Sequence, residues 1–488
     1  NSLKVTVVST ILSAALGLPL AYLMRSVKIK GSSFLNILIV ISYLSPPFIG
    51  AYAWIQMLGR QGVITQFLND TFGLHYGGVY GFAGIVLVFT LQSFPLVYIY
   101  VSGALKNLDN SLNEAAESLG CSRMGRIWKI IVPLVMPTLL ASSMLVFMRV
   151  FADFGTPMLI GEGYKTLPVL IYNQFMGEVS GDDGFAAAIC CIVIGLTIVM
   201  FFVQRFLAGR NTYAMTALKP MAAESLGGLR NILAHLAVYM VVGLAILPQF
   251  VVVYTSFLAT NGGQVFTGGF ALQSYDATLF AKDNDVIWHT YFLGLCAIAA
   301  VLVLGVLIAY LSVRKRNTLN SILDVITMFP FIIPGSVLGI AFVFAFNKSP
   351  IILTGTALIM IISFAVRRMP YTVRSSTAIL GNISPSIEEA AISLGASDMT
   401  TFRKITVPMM MPGVLSGAIM SWVTIISELS SSIILYTNST QTLTVSIYTE
   451  VIRGNYGNAS AYATILTVTS ILSLLLFYKV TGRRDVSV

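Results

Sequence analysis

The chain has 488 residues, 56% hydrophobic and only 10% charged, with a mean hydropathy of +0.84 and a formal net charge of +9. Soluble domains carry about 25% charged residues, so this composition excludes a soluble globular or disordered chain and describes a polytopic membrane protein. The positive balance does not argue for a nucleic-acid partner, because the cations sort to one side of the bilayer.

An apolar run of about 20 residues is long enough to cross the hydrocarbon core. Roughly eleven such runs follow one another, at 3–24, 34–58, 80–104, 131–152, 185–207, 231–257, 290–312, 321–346, 351–373, 408–427 and 461–479. The expected fold is therefore an all-α membrane protein. If the first span runs from outside to inside, most cations fall on the inner side. They are Arg25, Lys28 and Lys30; Arg123, Arg126 and Lys129; the stretch from Arg205 to Arg230; Arg314, Lys315 and Arg316; Arg403 and Lys404; and Arg483 and Arg484. Asp70, Glu162, Asp182, Asp183, Asp276, Asp283 and Asp285 fall outside, with few cations. This is the positive-inside distribution, so the charge reports orientation in a lipid bilayer. Cys121 falls in an inner segment and Cys190, Cys191 and Cys296 fall in spans, none placed for an external disulfide. They read as small apolar residues. There is no secretory signal pattern.

The chain repeats itself. "LGLPLAYLMR" at 16–25 matches "LGVLIAYLSVR" at 304–314 at an offset of 288, through Gly17/Gly305, Ala21/Ala309, Tyr22/Tyr310 and Leu23/Leu311. "SPPFIGAYAW" at 45–54 answers "IIPGSVLGIAF" at 332–342, each a span interrupted by proline. From Pro95/Pro370 onward the offset is 275, which leaves about a dozen extra residues in the first copy's external loop around 59–79. Both copies begin with a span of the same direction, so the repeats are parallel and related by an axis along the membrane normal, unlike inverted-repeat secondary transporters. The repeat divides the chain into a first half at 1–207, a linker at 208–230 and a second half at 231–488. The second half is preceded by a span at 231–257 that the first lacks, so the natural chain is expected to carry a twelfth helix ahead of residue 1.

One repeated word stands out. "DNSLNEAAESLGCSRMGRIWKIIVPLVMP" occupies 109–137 and "SPSIEEAAISLGASDMTTFRKITVPMMMP" occupies 384–412. Asp109 and Ser384 suit N-caps, and Pro385 suits a first helical turn. A short helix is expected through Leu119 and Leu394, ended by a left-handed residue at Gly120 and Gly395. A basic segment follows, and Pro133 and Pro408 open the next span. The result is a two-turn helix across the cytoplasmic end of each half. Its Ala115–Ala116 and Ala390–Ala391 pairs permit close approach, and Glu114 and Glu389 offer fixed charge. A single copy would read as an ordinary interfacial helix; two copies at equivalent positions argue for a dedicated surface. "AAESLGG" at 222–228 repeats part of the word, but Met221 replaces the leading Glu and no Ile-x-Val-Pro follows, so it reads as a decoy.

With its Glu-Ala-Ala, Gly and Ile-x-Val-Pro, this word resembles the EAA signature of ATP-binding-cassette importer permeases, over nearly the whole chain. Val132 and Val407 replace the Leu usual before the proline. The resemblance implies a type I importer fold with two permease halves fused. It implies that Glu114, Ala115, Ala116 and Gly120, with Glu389, Ala390, Ala391 and Gly395, dock on two copies of a cytoplasmic ATPase, and that cargo arrives from a periplasmic or extracellular binding protein. The setting implied is the bacterial inner membrane. The chain has no Gly-Lys dipeptide and hence no phosphate-binding P-loop. ATP and magnesium are therefore expected to be used by the partner, and the chain itself is expected to bind no cofactor.

Charged residues inside spans cost about 2.5–3.5 kcal/mol each and are functional candidates. The useful ones here are Arg149, Asp153 and Glu428, the two acids at equivalent repeat positions near the external ends of their spans. They read in two ways. One is a pseudo-symmetric pair at the mouth of a pathway, where carboxylate oxygens would pass a hard cation. The other is a pair of interfacial carboxylates that cap the following turn or, for Asp153, pair with Arg149 one helical turn away. Tyr172 and Tyr448 are also equivalent and read as pathway contacts or as interfacial tyrosines. "FADFGTPMLIG…LPVLIY" and "SELSSSIILYT…TLTVSIY" resemble fused ferric-iron permeases, within a branch that also serves phosphonates, sugar phosphates, thiamine and polyamines. The acidic pair favours a cation, and an anion is disfavoured by the lack of an intramembrane basic cluster beyond Arg149. The resemblance therefore implies ferric iron. A secondary transporter would not need the repeated word. An enzyme is disfavoured because His75, His235 and His289 are scattered, with no paired metal-ligand spacing.

Overall fold

In lipid an apolar chain must satisfy its own backbone, and helices do so segment by segment. The computed structural model describes residues 1–73, 77–177, 183–210, 223–260, 269–280, 285–315 and 317–481, and most of them are helical. Of the residues named above, His75, Asp182, Met221, Asp283, Arg316, Arg483 and Arg484 lie outside the described residues. Eight described helices are long and apolar enough to cross a membrane: Ser2–Ser26, Gly81–Lys106, Arg123–Ala152, Gly184–Val203, Gly228–Ser256, Val286–Arg314, Asp398–Ile426 and Tyr456–Leu476. Two bent pairs bring the number to ten: Ser32–Tyr43 with Pro47–Phe72, at 99°, and Thr318–Ile332 with Gly335–Phe346, at 112°.

The bends fall where the prolines put them. Ser45 and Ile333, each just before a proline, are extended at φ −66°, ψ 135° and φ −68°, ψ 131°. Proline crowds the helical conformation of its predecessor, so the helix stops there and restarts beyond it. The ninth expected span, 351–373, is displaced. Ile351–Ile352 pairs with Asn347–Lys348 in a short antiparallel hairpin, and the helix runs from Ala357 to Asn382. That helix carries Arg367, Arg368 and Arg374, which removes it from the purely apolar set.

The chain packs as two units, Asn1–Tyr254 and Thr255–Arg484. In the first, Ser2–Ser26 lies along Gly81–Lys106, and both meet Val132–Ala152. Its core includes Ile85, Val88, Phe94, Val97, Val101, Leu105, Val135 and Val146. A Cβ added to Gly17 would stand 2.7 Å from Val97 Cβ and 3.0 Å from the Phe94 carbonyl oxygen. Only a residue without a side chain lets the two helices come this close. The Gly228–Ser256 helix adds Val238, Val242 and Ala245 to the same core. A span that the repeat assigns to the second half thus packs with the first unit.

In the second unit Val286–Arg314 lies along Ala357–Asn382, and Val407–Ile426 packs on both. Leu293, Ala297, Val301, Ile359, Met360, Phe364, Val373 and Ile425 form its main core. A Cβ on Gly305 would stand 2.8 Å from Thr372 Cγ2. Gly305 and Thr372 are the repeat equivalents of Gly17 and Val97. The same small-residue contact therefore closes the same helix pair in each unit.

Candidate coupling elbows and the buried carboxylates

The repeated word folds identically twice. Helices Ser111–Ser118 and Ser386–Ser393 are eight residues each and bury no side chain. So short a helix is marginal alone, and its ends hold it. At the C-termini, Gly120 N donates to Glu117 O at 2.9 Å and Cys121 N to Ala116 O at 2.9 Å; Gly395 N donates to Ile392 O at 2.9 Å and Ala396 N to Ala391 O at 3.1 Å. This is the Schellman pattern, and Gly120 at φ +78° and Gly395 at φ +90° take the left-handed conformation it needs. The N-termini differ by one residue from the sequence reading. The caps are Asn110 and Pro385. Asp109 Oδ1 accepts from Ser111 N at 2.9 Å and Ser384 Oγ from Ser386 N at 3.4 Å, making the turn that precedes the cap. Glu114 and Glu389, Ala115 and Ala390, and both glycines are exposed, while Ala116 and Ala391 are half-buried.

The spans that follow do not begin at the prolines. Each is a continuous rod, Arg123–Ala152 and Asp398–Ile426, with one π turn at Ile127–Ile131 and Phe402–Thr406. Pro133 and Pro408 have no N–H to give, so the ladder widens just ahead of them. The prolines marked the place; that the helix would survive them needed the fold.

Asp153 and Glu428 occupy matching turns at the ends of these rods. Asp153 Oδ1 accepts from Thr156 N at 2.9 Å, and Glu428 Oε1 from Ser431 N at 3.2 Å. Their surroundings then diverge. Arg149 lies over the Tyr43 ring, 4.7 Å from its centroid. Glu428 is not near water: its side chain is 2% exposed and ion-paired to both Arg367 and Arg368. Ser432 Oγ and Thr444 Oγ1 each donate to its carbonyl at 2.8 Å. The expectation of no basic cluster beyond Arg149 is corrected by this arginine pair. It was visible as two adjacent residues, but a hydropathy window averages them into their apolar neighbours, and their acidic partner lies about sixty positions away. The first half has Gln92 and Ser93 at those positions, and Gln92 Nε2 donates to Pro47 O at 2.6 Å instead.

Tyr172 is half-buried with its ring 4.8 Å from that of Phe154, and Tyr448 is buried. Their helices, Leu167–Met176 and Leu443–Ile452, are fastened alike. Leu167 N donates to Ser2 Oγ at 2.6 Å, and Leu443 N to Thr290 Oγ1 at 2.7 Å. Ser2 and Thr290 are repeat equivalents. Each hydroxyl satisfies one of the amides a helix start leaves open. No group of three or more His, Cys, Asp or Glu among the described residues is arranged to hold a metal ion.

Two helical halves with matched packing glycines, matched proline breaks and matched solvent-facing elbows define a duplicated, multi-pass inner-membrane transport component. The chain belongs to the family of binding-protein-dependent transport system inner membrane components, matched at residues 13–213 and again at 301–484. It is 31% identical over 493 residues to the ferric transport system permease protein FbpB of Actinobacillus pleuropneumoniae, covering 99% of this chain and 71% of that one. It is also 31% identical over 451 residues to a putative ferric transport system permease protein of Haemophilus influenzae, covering 90% and 70%. One half-length relative is the molybdenum transport system permease protein ModB of Escherichia coli, 28% identical over 212 residues, or 42% of this chain and 90% of that one.

Proposed function

We propose that this chain is the membrane subunit of an ATP-driven importer and that its cargo is ferric iron. The observation that carries the mechanism is the pair of exposed, Schellman-capped helices at equivalent repeat positions. A surface helix with no fully buried residue, yet ended by the same capping turn at both repeat positions, fits a docking element for two copies of one partner. In this reading Glu114, Ala115, Ala116 and Gly120, with Glu389, Ala390, Ala391 and Gly395, seat on two cytoplasmic ATPase subunits. Those subunits bind ATP and magnesium, and the chain, lacking a Gly-Lys dipeptide, hydrolyses none. An external binding protein delivers the cargo.

The iron assignment is supported by the names of the two relatives that match over most of their length. It draws no support from Glu428 as a ligand, since two arginines already hold that carboxylate. Asp153 and Glu428 are read here as turn-capping residues that shape the end of each rod, with Arg149, Tyr172 and Tyr448 around them. An oxyanion cargo is the second reading, suggested by the adjacent Arg367 and Arg368, and it is weakened because the Glu428 carboxylate is already paired to both.

Uptake of radioactive ferric iron by cells that carry or lack the gene tests the cargo. Iron accumulation that depends on the chain and on ATP is expected. Unchanged iron uptake, with loss of oxyanion uptake, would transfer the assignment to the second reading.

A further inference from the structure

The decoy word in the linker has a structural place. Glu224 forms a parallel bridge with Val27: Lys28 N donates to Glu224 O at 3.0 Å, and Glu224 N donates to Ser26 O at 2.9 Å. Leu226 packs against the core of the first unit. Glu224 Oε2 lies 3.8 Å from Arg123 Nη2, in the short helix that follows the first elbow. Just beyond, His235 Nε2 accepts from Lys30 N at 3.2 Å, and Tyr239 OH donates to Lys30 O at 3.0 Å. The segment therefore ties the inner end of the first span to the base of the first elbow.

The second half explains why a tie is needed. Ser26, whose carbonyl takes the Glu224 amide, is the repeat equivalent of Arg314. Arg314 Nε donates to Glu388 Oε1 at 2.9 Å and its Nη2 to Ile383 O at 2.9 Å, clasping the second elbow directly. The first half lacks both ends of that clasp, having Ser26 for Arg314 and Asn113 for Glu388. It has instead Arg123 and Arg126, where the second half has Asp398 and Thr401. These two arginines are engaged by the same word used twice: Glu117 of the elbow pairs with Arg126, and Glu224 of the linker faces Arg123.

We infer that Ala223–Gly227 is a strap that fastens the base of the first elbow to the first span, supplying from a later segment of the same chain the clasp that Arg314 and Glu388 provide in the second half. The backbone bridge and Leu226 hold the strap, and the Glu224 carboxylate faces Arg123 in the turn of helix just beyond the elbow. The two elbows are thus secured by different means, and only the first depends on the linker.

The functional meaning rests on reading Ser111–Ser118 as a coupling helix, so the test separates the two claims. Hydrogen exchange is measured on the full chain in lipid nanodiscs without nucleotide or partner. Glu224→Pro removes the amide that Ser26 accepts, and should raise exchange at 26–30 and 111–126 by about tenfold while leaving 386–401 unchanged. Unchanged exchange at 111–126 overturns the strap. If Glu224→Pro loosens the whole chain, the charge pair decides. Glu224→Arg should raise exchange at 117–126, and adding Arg123→Glu should restore it; failure to restore overturns the strap. ATPase stimulation by the reconstituted transporter is then compared. A loosened elbow with undiminished stimulation leaves the strap standing and removes the coupling role.

Discussion

Arg314 Nε meets Glu388 Oε1 at 2.9 Å, and the two side chains are only 10% and 13% exposed. A span end and an otherwise unburied elbow are thereby joined by a charge-assisted contact sheltered from water, with a second bond from Arg314 to Ile383 O. Charge-assisted bonds of this kind contribute about 1.5–3 kcal/mol. Arg314→Ala should therefore loosen the second elbow by about 1–3 kcal/mol, read as faster hydrogen exchange at 384–396. Glu388→Ala should act alike, and the double variant should cost less than the two combined. Strict additivity would mean the pair is not coupled.

The packing glycines offer a sharper test, because the obstruction has a named atom. A Cβ at Gly305 would meet Thr372 Cγ2 at 2.8 Å. Gly305→Ala should cost about 1–3 kcal/mol, as overpacking does. Thr372→Ser removes that methyl and keeps the hydroxyl that shares a hydrogen bond with Ser421 Oγ at 3.0 Å. The pair of changes should recover most of the melting temperature lost by Gly305→Ala alone. At Gly17 the near atoms are Val97 Cβ and a carbonyl oxygen, so no equally small change relieves the clash, and Gly17→Ala should resist rescue.

These contacts show what could be read in advance. The spans, the proline breaks at Pro46 and Pro334 and the glycine stops at Gly120 and Gly395 are local, set by hydropathy, ring geometry and φ, and each was legible. The repeat aligned Gly17 with Gly305, but only the fold showed that each lies against the neighbouring helix, at Val97 and Thr372. What could not be read was pairing at a distance. Glu428 carries no sign of Arg367 in its own neighbourhood, and Glu224 none of Val27. The adjacent arginines at 367 and 368 were present but diluted within an apolar helix. The span at 231–257 looks like the start of the second half by repeat, and only its packed face, through Val238 and Val242, places it with the first unit.

The matching acids should respond oppositely to neutralisation. Removing one partner of a buried ion pair strands the others and costs about 3–5 kcal/mol. Glu428→Ala removes the buried carboxylate that pairs with both Arg367 and Arg368, so low yield and a markedly reduced melting temperature in detergent are expected. Asp153→Asn takes away the negative charge but keeps a side-chain oxygen that can accept from Thr156 N, and asparagine caps about as well as aspartate, so a folded, active chain is expected. Were the two acids symmetric cargo ligands, both variants would fold normally and both would abolish uptake.

Leu119 and Leu394 sit at the C-caps of the two elbows and are 88% and 89% exposed. Large apolar side chains held so far into solvent at equivalent positions fit a pocket on another protein. Leu119 and Leu394 are almost fully exposed among the described residues, so Leu119→Asp and Leu394→Asp should each change stability by no more than about 1 kcal/mol, chiefly through an acid placed at a helix C-terminus. If the leucines anchor the ATPase, each change should weaken its binding by at least about 2 kcal/mol, near thirtyfold, as loss of an interface anchor does. Titration of the purified ATPase onto the chain in nanodiscs, with melting temperature measured in parallel, separates the two effects. Undiminished affinity in both variants would show that the partner seats elsewhere on the cytoplasmic face. Retained affinity in only one would show that the elbows, secured by different contacts at their bases, also differ in how much of the docking each supplies.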